Sequence, residues 1–354
     1  MTPADGGSAS FPVVTLKGDA RARGHAFGDA CRPLIRKSLE YYLDAVFRPR
    51  GCTDALLRDY ALQSADVIGR FSPQSLEEIE AVAEAADLPS WQVLVLNSRT
   101  EILNVAGRLA APECTAFYMA DGRILAQNWD WIRIGLACAV VLQIETDDGR
   151  RMSVFTEAGM LGKIGINSNG VGVCLNILQA PHERIGVPVS VVSRVVLDAA
   201  SAGEARRVFQ AAGSGRATHF LVGDAHGDCV SIEYAGDEVY EVSASDGVLV
   251  HTNHLIASRA RVELTEAVAG SVARLERAAE LCALPGPGTV GRAKSILADQ
   301  TNEYSPINVA WRASSFVKGE DISTCAAIVM DLAAGAMHIR RGFELDAPWA
   351  VYRP

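Results

Sequence analysis

The first hundred residues carry their apolar positions at helical spacing. Over 30–46 these are Leu34, Ile35, Leu39, Tyr42, Leu43 and Val46, which predicts one helix with a single buried stripe. Ser75 with Glu78 three residues on reads as a capping box opening a second helix, with Ile79, Val82, Ala83 and Ala86 inward, and a third is expected over 91–104. At Cys114 the period drops to two. Alternating or wholly apolar runs then predict strands over 115–118, 124–129, 140–146, 152–156, 163–167 and 171–176. Asp121-Gly122, Asp148-Gly149 and Asn169-Gly170 fall between them, and such dipeptides supply the positive φ of tight hairpin turns.

Helices return over 191–200, over 202–212 behind Ser201 with Glu204 three residues on, and over 272–284. Further hairpins are expected to pair 218–222 with 229–234, 239–242 with 248–251 across Asp246-Gly247, and 326–332 with 336–340. Strand blocks and helix blocks are segregated, which predicts an α+β class with antiparallel sheets sandwiched by helices. No repeat, low-complexity tract or linker divides the chain, so a single domain is expected.

Composition narrows the function. With 354 residues, 49% of them hydrophobic and 21% charged, the chain can bury a real core and is not disordered. A net charge of −9 without a basic run argues against nucleic acid, because phosphate binding needs a cationic surface. No run of eighteen apolar residues predicts a membrane span, and the first eleven residues lack a basic region followed by an apolar one, so no signal peptide is expected either. Eight cysteines are scattered along the chain with no CxxC pair, which suits a reduced, cytoplasmic protein whose thiols are mostly small core residues.

One cysteine has chemical neighbours. Cys114 stands where the helical region gives way to the first strand of the sheet, and downstream comes Gln127-Asn128-Trp129-Asp130-Trp131, whose alternation puts Asn128 and Asp130 on one face and both tryptophans on the other. A hairpin through Asp121-Gly122 folds that strand beside the one starting at Cys114, bringing Asp130 near the thiol. Taken alone, these residues read as one more buried thiol and a strand-end carboxylate in a turn.

A longer ordered set decides the reading. Asn97-Ser98-Arg99-Thr100-Glu101, Glu113-Cys114-Thr115-Ala116, Gln127-Asn128-Trp129-Asp130, the stretch Gly159-Met160-Leu161-Gly162-Lys163-Ile164-Gly165-Ile166-Asn167, and Asn253-His254 succeed one another as in the acyl-coenzyme A:6-aminopenicillanic acid acyltransferase family of self-processing N-terminal-nucleophile hydrolases, which the chain resembles from about residue 17 to its end. The resemblance implies a four-layer αββα sandwich of two antiparallel sheets. It also implies self-cleavage between Glu113 and Cys114 into fragments of residues 1–113 and 114–354 that stay associated. The freed α-amine of Cys114, with a reference pKa of about 7.7–8.0, then serves as the base for its own thiol. In this reading Asn253 stabilises the oxyanion, Asp130 orients the α-amine or a processing water, Arg312 lies near the nucleophile, and Thr115, Asn128, Lys163 and His254 contact the substrate. Two departures stand out: Glu113 replaces the glycine of the penicillin-type enzyme, and Trp311 precedes Arg312 where many relatives carry cysteine.

The expected activity is cleavage of a small N-acyl amine or N-acyl amino acid without a cofactor. The alternative is transfer of the acyl group to an amine, with a CoA thioester as donor. Two other classes remain: a papain-like enzyme with Cys114 activated by His254, and a binding module that keeps the fold without the chemistry. A homo-oligomer is left open. His219, His226, Cys229, His251 and His254 match no compact zinc spacing, and the Gly159 stretch lacks the spacing of a phosphate loop, so no metal or nucleotide site is expected.

Overall fold

The computed structural model describes residues 10–105, 114–178, 185–213, 217–235, 238–257, 266–314 and 319–354. Along the chain run β1 (Val13–Gly18), α1 (Ala20–Tyr41) with a π-helical continuation over Tyr42–Phe47, α2 (Asp54–Phe71), α3 (Pro73–Ala85), α4 (Ser90–Asn97) and α5 (Arg99–Val105). After Cys114 come β2 (Thr115–Met119), β3 (Ile124–Ile132), α6 (Arg133–Cys138), β4 (Ala139–Thr146), β5 (Arg151–Glu157), β6 (Ile164–Asn167), β7 (Gly172–Ile177), α7 (Val189–Val196) and α8 (Ala202–Ala212). Beyond these lie β8 (Thr218–Gly223), β9 (Cys229–Ala235), β10 (Glu238–Glu241), β11 (Val248–His251), α9 (Glu266–Ala283), α10 (Val290–Leu297), β12 (Arg312–Ala313), β13 (Asp321–Asp331), β14 (Ala336–Arg341) and β15 (Trp349–Tyr352).

Two sheets result, with strand orders β1-β4-β5-β6-β7-β8-β9-β10 and β11-β2-β3-β13-β14-β15, β12 lying on β13. They face each other through β2, β3, β7 and β8; α1, α7 and α8 cover the first sheet, and α9 and α10 cover the second. This is the αββα sandwich in four layers.

Alternation sorts the side chains of β2 and β3 between two cores. Ala116, Tyr118, Leu125, Trp129 and Trp131 point between the sheets, whereas Phe117, Met119, Ile124 and Ala126 pack under α9 and α10 with Ala278, Ile296 and Leu297. Cys114 belongs to the inter-sheet core with Ala116 and Tyr118. The direction of the nucleophile candidate is therefore set by strand parity.

Several expectations need correcting. β10 does not form a hairpin with β11: it pairs with β9 in the first sheet, while β11 crosses to pair with β2 in the second, Val250 opposite Phe117. The first sheet is not wholly antiparallel, because β1 runs parallel to β4. The cap of α3 is Ser72, whose hydroxyl accepts from the Ser75 amide, and Glu78 is buried against Arg23 at 2.6 Å instead of turning back to a cap. The helix expected over 91–104 breaks at Ser98 into α4 and α5. At Asp121-Gly122 the positive φ falls on Arg123, and Gly122 is required for a different reason: a Cβ there would lie 1.8 Å from the Gly288 carbonyl oxygen. By contrast, Ser201 caps α8 as expected, accepting from the Glu204 amide at 3.2 Å.

The helices ahead of Cys114 are packed through glycine. A Cβ at Gly24 or Gly28 of α1 would sit 2.4 Å or 2.5 Å from the backbone oxygens of Glu78 and Val82 in α3. Gly28→Ala is expected to cost about 1–3 kcal/mol by overpacking even though alanine is the better helix former. Gly203→Ala in α8, where a Cβ meets nothing nearer than 3.7 Å, is expected to stabilise by up to about 1 kcal/mol. Urea denaturation of both variants checks the opposite signs; shifts of the same sign would contradict the close helix contact.

Candidate active site

Cys114 leads into β2 and is only 4% exposed. Its thiol donates to the backbone carbonyl of Asp130 on the neighbouring strand at 3.9 Å. Burial, and then the Asp130 charge, push the thiol up to about 12, while Arg274 and Lys163 pull the other way. At neutral pH it is protonated and needs a base. Beside it lies a cavity of about 20 Å³, room for one water molecule, with Trp129, Trp131, Leu175 and Ile177 among its apolar walls and Arg99 and Lys163 among its polar ones.

The charged wall is a closed network around one carboxylate. Glu157, the last residue of β5, is fully buried and accepts from Arg99 and Lys163 on one oxygen and from the Tyr42 hydroxyl on the other, the last at 2.9 Å. Tyr42 in turn accepts from Trp131 Nε1 at 2.8 Å. The Arg99 guanidinium lies 4.3 Å from the Trp131 ring centroid, and Lys163 Nζ lies 3.9 Å from that of Trp129. Burial alone would raise Glu157, but Arg99 and Lys163 outweigh it and hold the carboxyl at about 2. Burial pulls Lys163 down to about 8 against the opposing pull of Glu157.

The backbone that carries Lys163 is held from the helical layer. Asn97, which ends α4, donates to the Gly159 carbonyl at 2.8 Å and accepts from the Leu161 amide at 3.0 Å, while Gly159 turns the chain with φ of +91°. Ser190 donates to the Asn97 carbonyl, and Glu101 accepts from the Val189 amide. The Asn97–Glu101 and Gly159–Lys163 stretches are thus parts of one assembly.

Asn253 comes just after β11 and approaches from the far side. Its amide oxygen accepts from Arg274 of α9 at 3.0 Å, its nitrogen donates to the Ile177 carbonyl at 3.0 Å, and its backbone N–H donates to Ser271 Oγ at 2.7 Å. Because a guanidinium offers only donors, Arg274 fixes which end of the amide is the oxygen and leaves the nitrogen on the side of Ile177, a wall of the cavity. Behind this loop His251 lies between the Thr252 carbonyl and Glu233 at 2.9 and 2.8 Å, and Glu233 also accepts from the amides of Ile256 and Ala257. The His219 ring stacks on His251 at 3.5 Å, and burial holds His219 well below the usual histidine range.

The structure brings some expected residues together and separates others. Lys163 shares the cavity with Cys114, the Asp130 backbone receives the thiol, and Asn253 stands behind Ile177. Thr115 and Asn128 face each other across β2 and β3 on the opposite face, under α10, where the Asn128 amide donates to the carbonyls of Leu297 and Ile307; strand parity turns them away from the cavity. His254 lies outside the cavity wall, bonded to Ser271 Oγ at 2.8 Å, and burial pulls it down to about 4. Arg312 lies on β12, donates to the Tyr304 carbonyl at 2.8 Å and does not line the cavity. Glu113 falls outside the described residues. Glu157, Tyr42 and Arg274 were not singled out from the sequence: Glu157 carried a signal as a carboxylate ending an apolar strand, whereas Arg274 on an amphipathic helix carried none. Among the described residues no group of three or more His, Cys, Asp or Glu side chains is arranged to hold a metal ion.

A family model described as acyl-coenzyme A:6-aminopenicillanic acid acyl-transferase matches residues 118–341. The chain belongs to this family. It is therefore a member of an acyltransferase family of enzymes. It is similar to the acyl-coenzyme A:6-aminopenicillanic-acid-acyltransferase 40 kDa form of Emericella nidulans, 28% identical over 249 residues that span 69% of each chain. Solved structures with some likeness include the penicillin V acylase of Agrobacterium tumefaciens, 14% identical, covering 68% of this chain and 86% of that one with a TM-score of 0.46. A variant of the conjugated bile acid hydrolase of Clostridium perfringens is 12% identical, covering 68% and 97%, with a TM-score of 0.45.

Glu157→Gln leaves two buried cations with one neutral partner, so it is expected to destabilise the protein by about 3–5 kcal/mol at pH 7. Since the carboxyl is depressed in the folded state to about 2 from 4.5, the stability it confers is present above 4.5 and is lost as pH falls toward 2. The gap between variant and wild type in chemical denaturation should narrow over that window. A gap of constant size from pH 7 to pH 2.5 would contradict the ion network.

Proposed function

We propose that the chain is a self-activating cysteine amidohydrolase that cleaves a small N-acyl amine, with N-acyl amino acids preferred, through an acyl-enzyme on Cys114. The observation that supports this most is the chemistry at the start of β2: a buried thiol pushed to about 12, while His254, the base of the papain-like alternative, lies outside the cavity wall and is bonded to Ser271. Cleavage before Cys114 supplies the missing base. The new α-amine is a weak base on the same residue as the thiol, and it takes the thiol proton as sulfur attacks the acyl carbon. Asn253, with its nitrogen on the side of the cavity wall, donates to the oxyanion; one such donor is typically worth about 2.7–4 kcal/mol. Asp130 orients the α-amine, and water releases the acyl group from sulfur.

Two further observations fit. β1 precedes the cleavage point and pairs with β4 beyond it, and Arg99 reaches Glu157 across the same divide, so the fragments stay together after cleavage. Arg99 and Lys163 against Glu157 leave one net positive charge in the cavity wall, which favours a substrate carrying a carboxylate next to the amide. The second reading, transfer to an amine with an acyl-CoA donor, draws on the acyltransferase named by the family and by the Emericella relative. Turnover of an N-acyl amino acid, with and without a competing amine or an acyl-CoA, separates them. Free acid and amine in equal amounts, unchanged by either addition, are the expected products. New amide in excess of free acid would overturn the hydrolase reading.

A further inference from the structure

Self-cleavage meets a difficulty that turnover does not. Until the bond between Glu113 and Cys114 is broken, the Cys114 nitrogen is an amide and accepts no proton, so the base proposed for turnover does not yet exist. Something else must take the proton from a thiol that burial holds at about 12.

Among the described residues that line the cavity beside Cys114, Lys163 is the one side chain that becomes a neutral amine near physiological pH; Arg99 stays cationic, and Thr100 and Ser190 are hydroxyls. The cavity the two residues share has room for one water, the length of a single proton relay. Burial, and after it the Arg99 charge, favour the neutral form of Lys163, while Glu157 opposes them. Glu157 is already held by Arg99 and by the Tyr42 hydroxyl, so the three charged groups sum to +1 with the lysine protonated and to zero without it. The groups that act on Lys163 are Glu157 from β5, Arg99 from α5 and Cys114 itself, while Asp130 and Arg274 act on the thiol. Lys163 is also fixed in place, its Nζ on the ring of Trp129, the residue before the carbonyl that receives the thiol.

We propose that Lys163 is the general base of self-cleavage, working through one water in the cavity it shares with Cys114. Its amine takes the Sγ proton as sulfur attacks the Glu113 carbonyl carbon. The ammonium returns that proton to the Cys114 nitrogen as the C–N bond breaks, leaving a thioester between Glu113 and Cys114 Sγ and a neutral lysine. Water then hydrolyses the thioester to the Glu113 carboxylate and the free thiol. The inference rests on the self-activation reading above and assigns the two reactions of Cys114 to two different bases.

The test monitors release of the 114–354 fragment from freshly refolded full-length chains of wild type, Lys163→Arg and Lys163→Ala across pH 5 to 9.5. The wild-type rate is expected to rise through an inflection near 8, as burial places Lys163 there and the base is the deprotonated form. Lys163→Arg keeps a cation beside Glu157 but offers no base, so it should fold with wild-type circular dichroism and cleave at least about 100-fold more slowly. Lys163→Ala should be rescued by small primary amines, at rates that track the concentration of free amine and rise with amine basicity, a response that filling a structural gap does not give. Cleavage of Lys163→Arg within about threefold of wild type overturns the assignment. So does a wild-type inflection in the carboxylate range, which would pass the role to Asp130. If Lys163→Arg does not fold, the wild-type pH profile and the amine series decide. A wild-type chain that never cleaves removes the self-activation reading and this inference with it; cleavage of both wild type and Lys163→Arg removes this inference alone.

Discussion

Glu157 has no exposed surface, and on its two oxygens converge two cations and a phenol: Arg99 and Lys163 on one, Tyr42 on the other. Removing any of them leaves charge or a polar group in a low-dielectric interior, which is why a buried pair costs far more to break than an exposed one. The partners come from separate parts of the chain. Tyr42 closes the long first helix and Arg99 opens the last helix described before Cys114, while Glu157 and Lys163 bracket the turn after β5. The network therefore joins the helices ahead of Cys114 to the strands beyond it, and it does so against the wall of the cavity that holds the thiol. Asn97 reinforces the same junction through the backbone of the Gly159 turn.

Strand parity is the second constraint. Cys114 faces between the sheets for the same reason that Ala116 and Tyr118 do, and Trp129 and Trp131 meet it from the next strand. The stacked tryptophans then serve twice, as apolar walls of the cavity and as ring faces for Lys163 and Arg99. On the far side Arg274 orients the Asn253 amide and contributes positive charge toward the thiol. The site is thus assembled from both sheets and from helices on both outer faces.

Much of this was readable from the sequence because hairpins and helix caps are local. The Gly149, Gly170 and Gly247 turns have the positive φ their dipeptides imply, and Ser201 caps α8 as its spacing requires. Local pattern cannot carry the choice of sheet that each strand joins: β10 and β11 are neighbours in sequence yet pair in different sheets, and β1 finds a parallel partner more than a hundred residues away. At the site, Cys114, Lys163 and Asn253 lay on strands or in motifs that point at them, whereas Asp130 meets the thiol through its backbone carbonyl, a contact that side-chain pattern does not encode. Thr115 and Asn128 were drawn in by the family resemblance, although their parity places them under α10. Arg274 was invisible because its partner Asn253 is 21 residues away and meets it only once α9 packs on β11.

The central claim is that Cys114 acts as an N-terminal nucleophile. Mass measurement of the denatured, catalytically active protein, with sequencing of each chain's first residues, tests it most directly. Two polypeptides are expected, residues 1–113 and 114–354, the second beginning Cys-Thr-Ala-Phe, and a single uncut chain in Cys114→Ala. An active enzyme consisting only of the uncut 354-residue chain would contradict it.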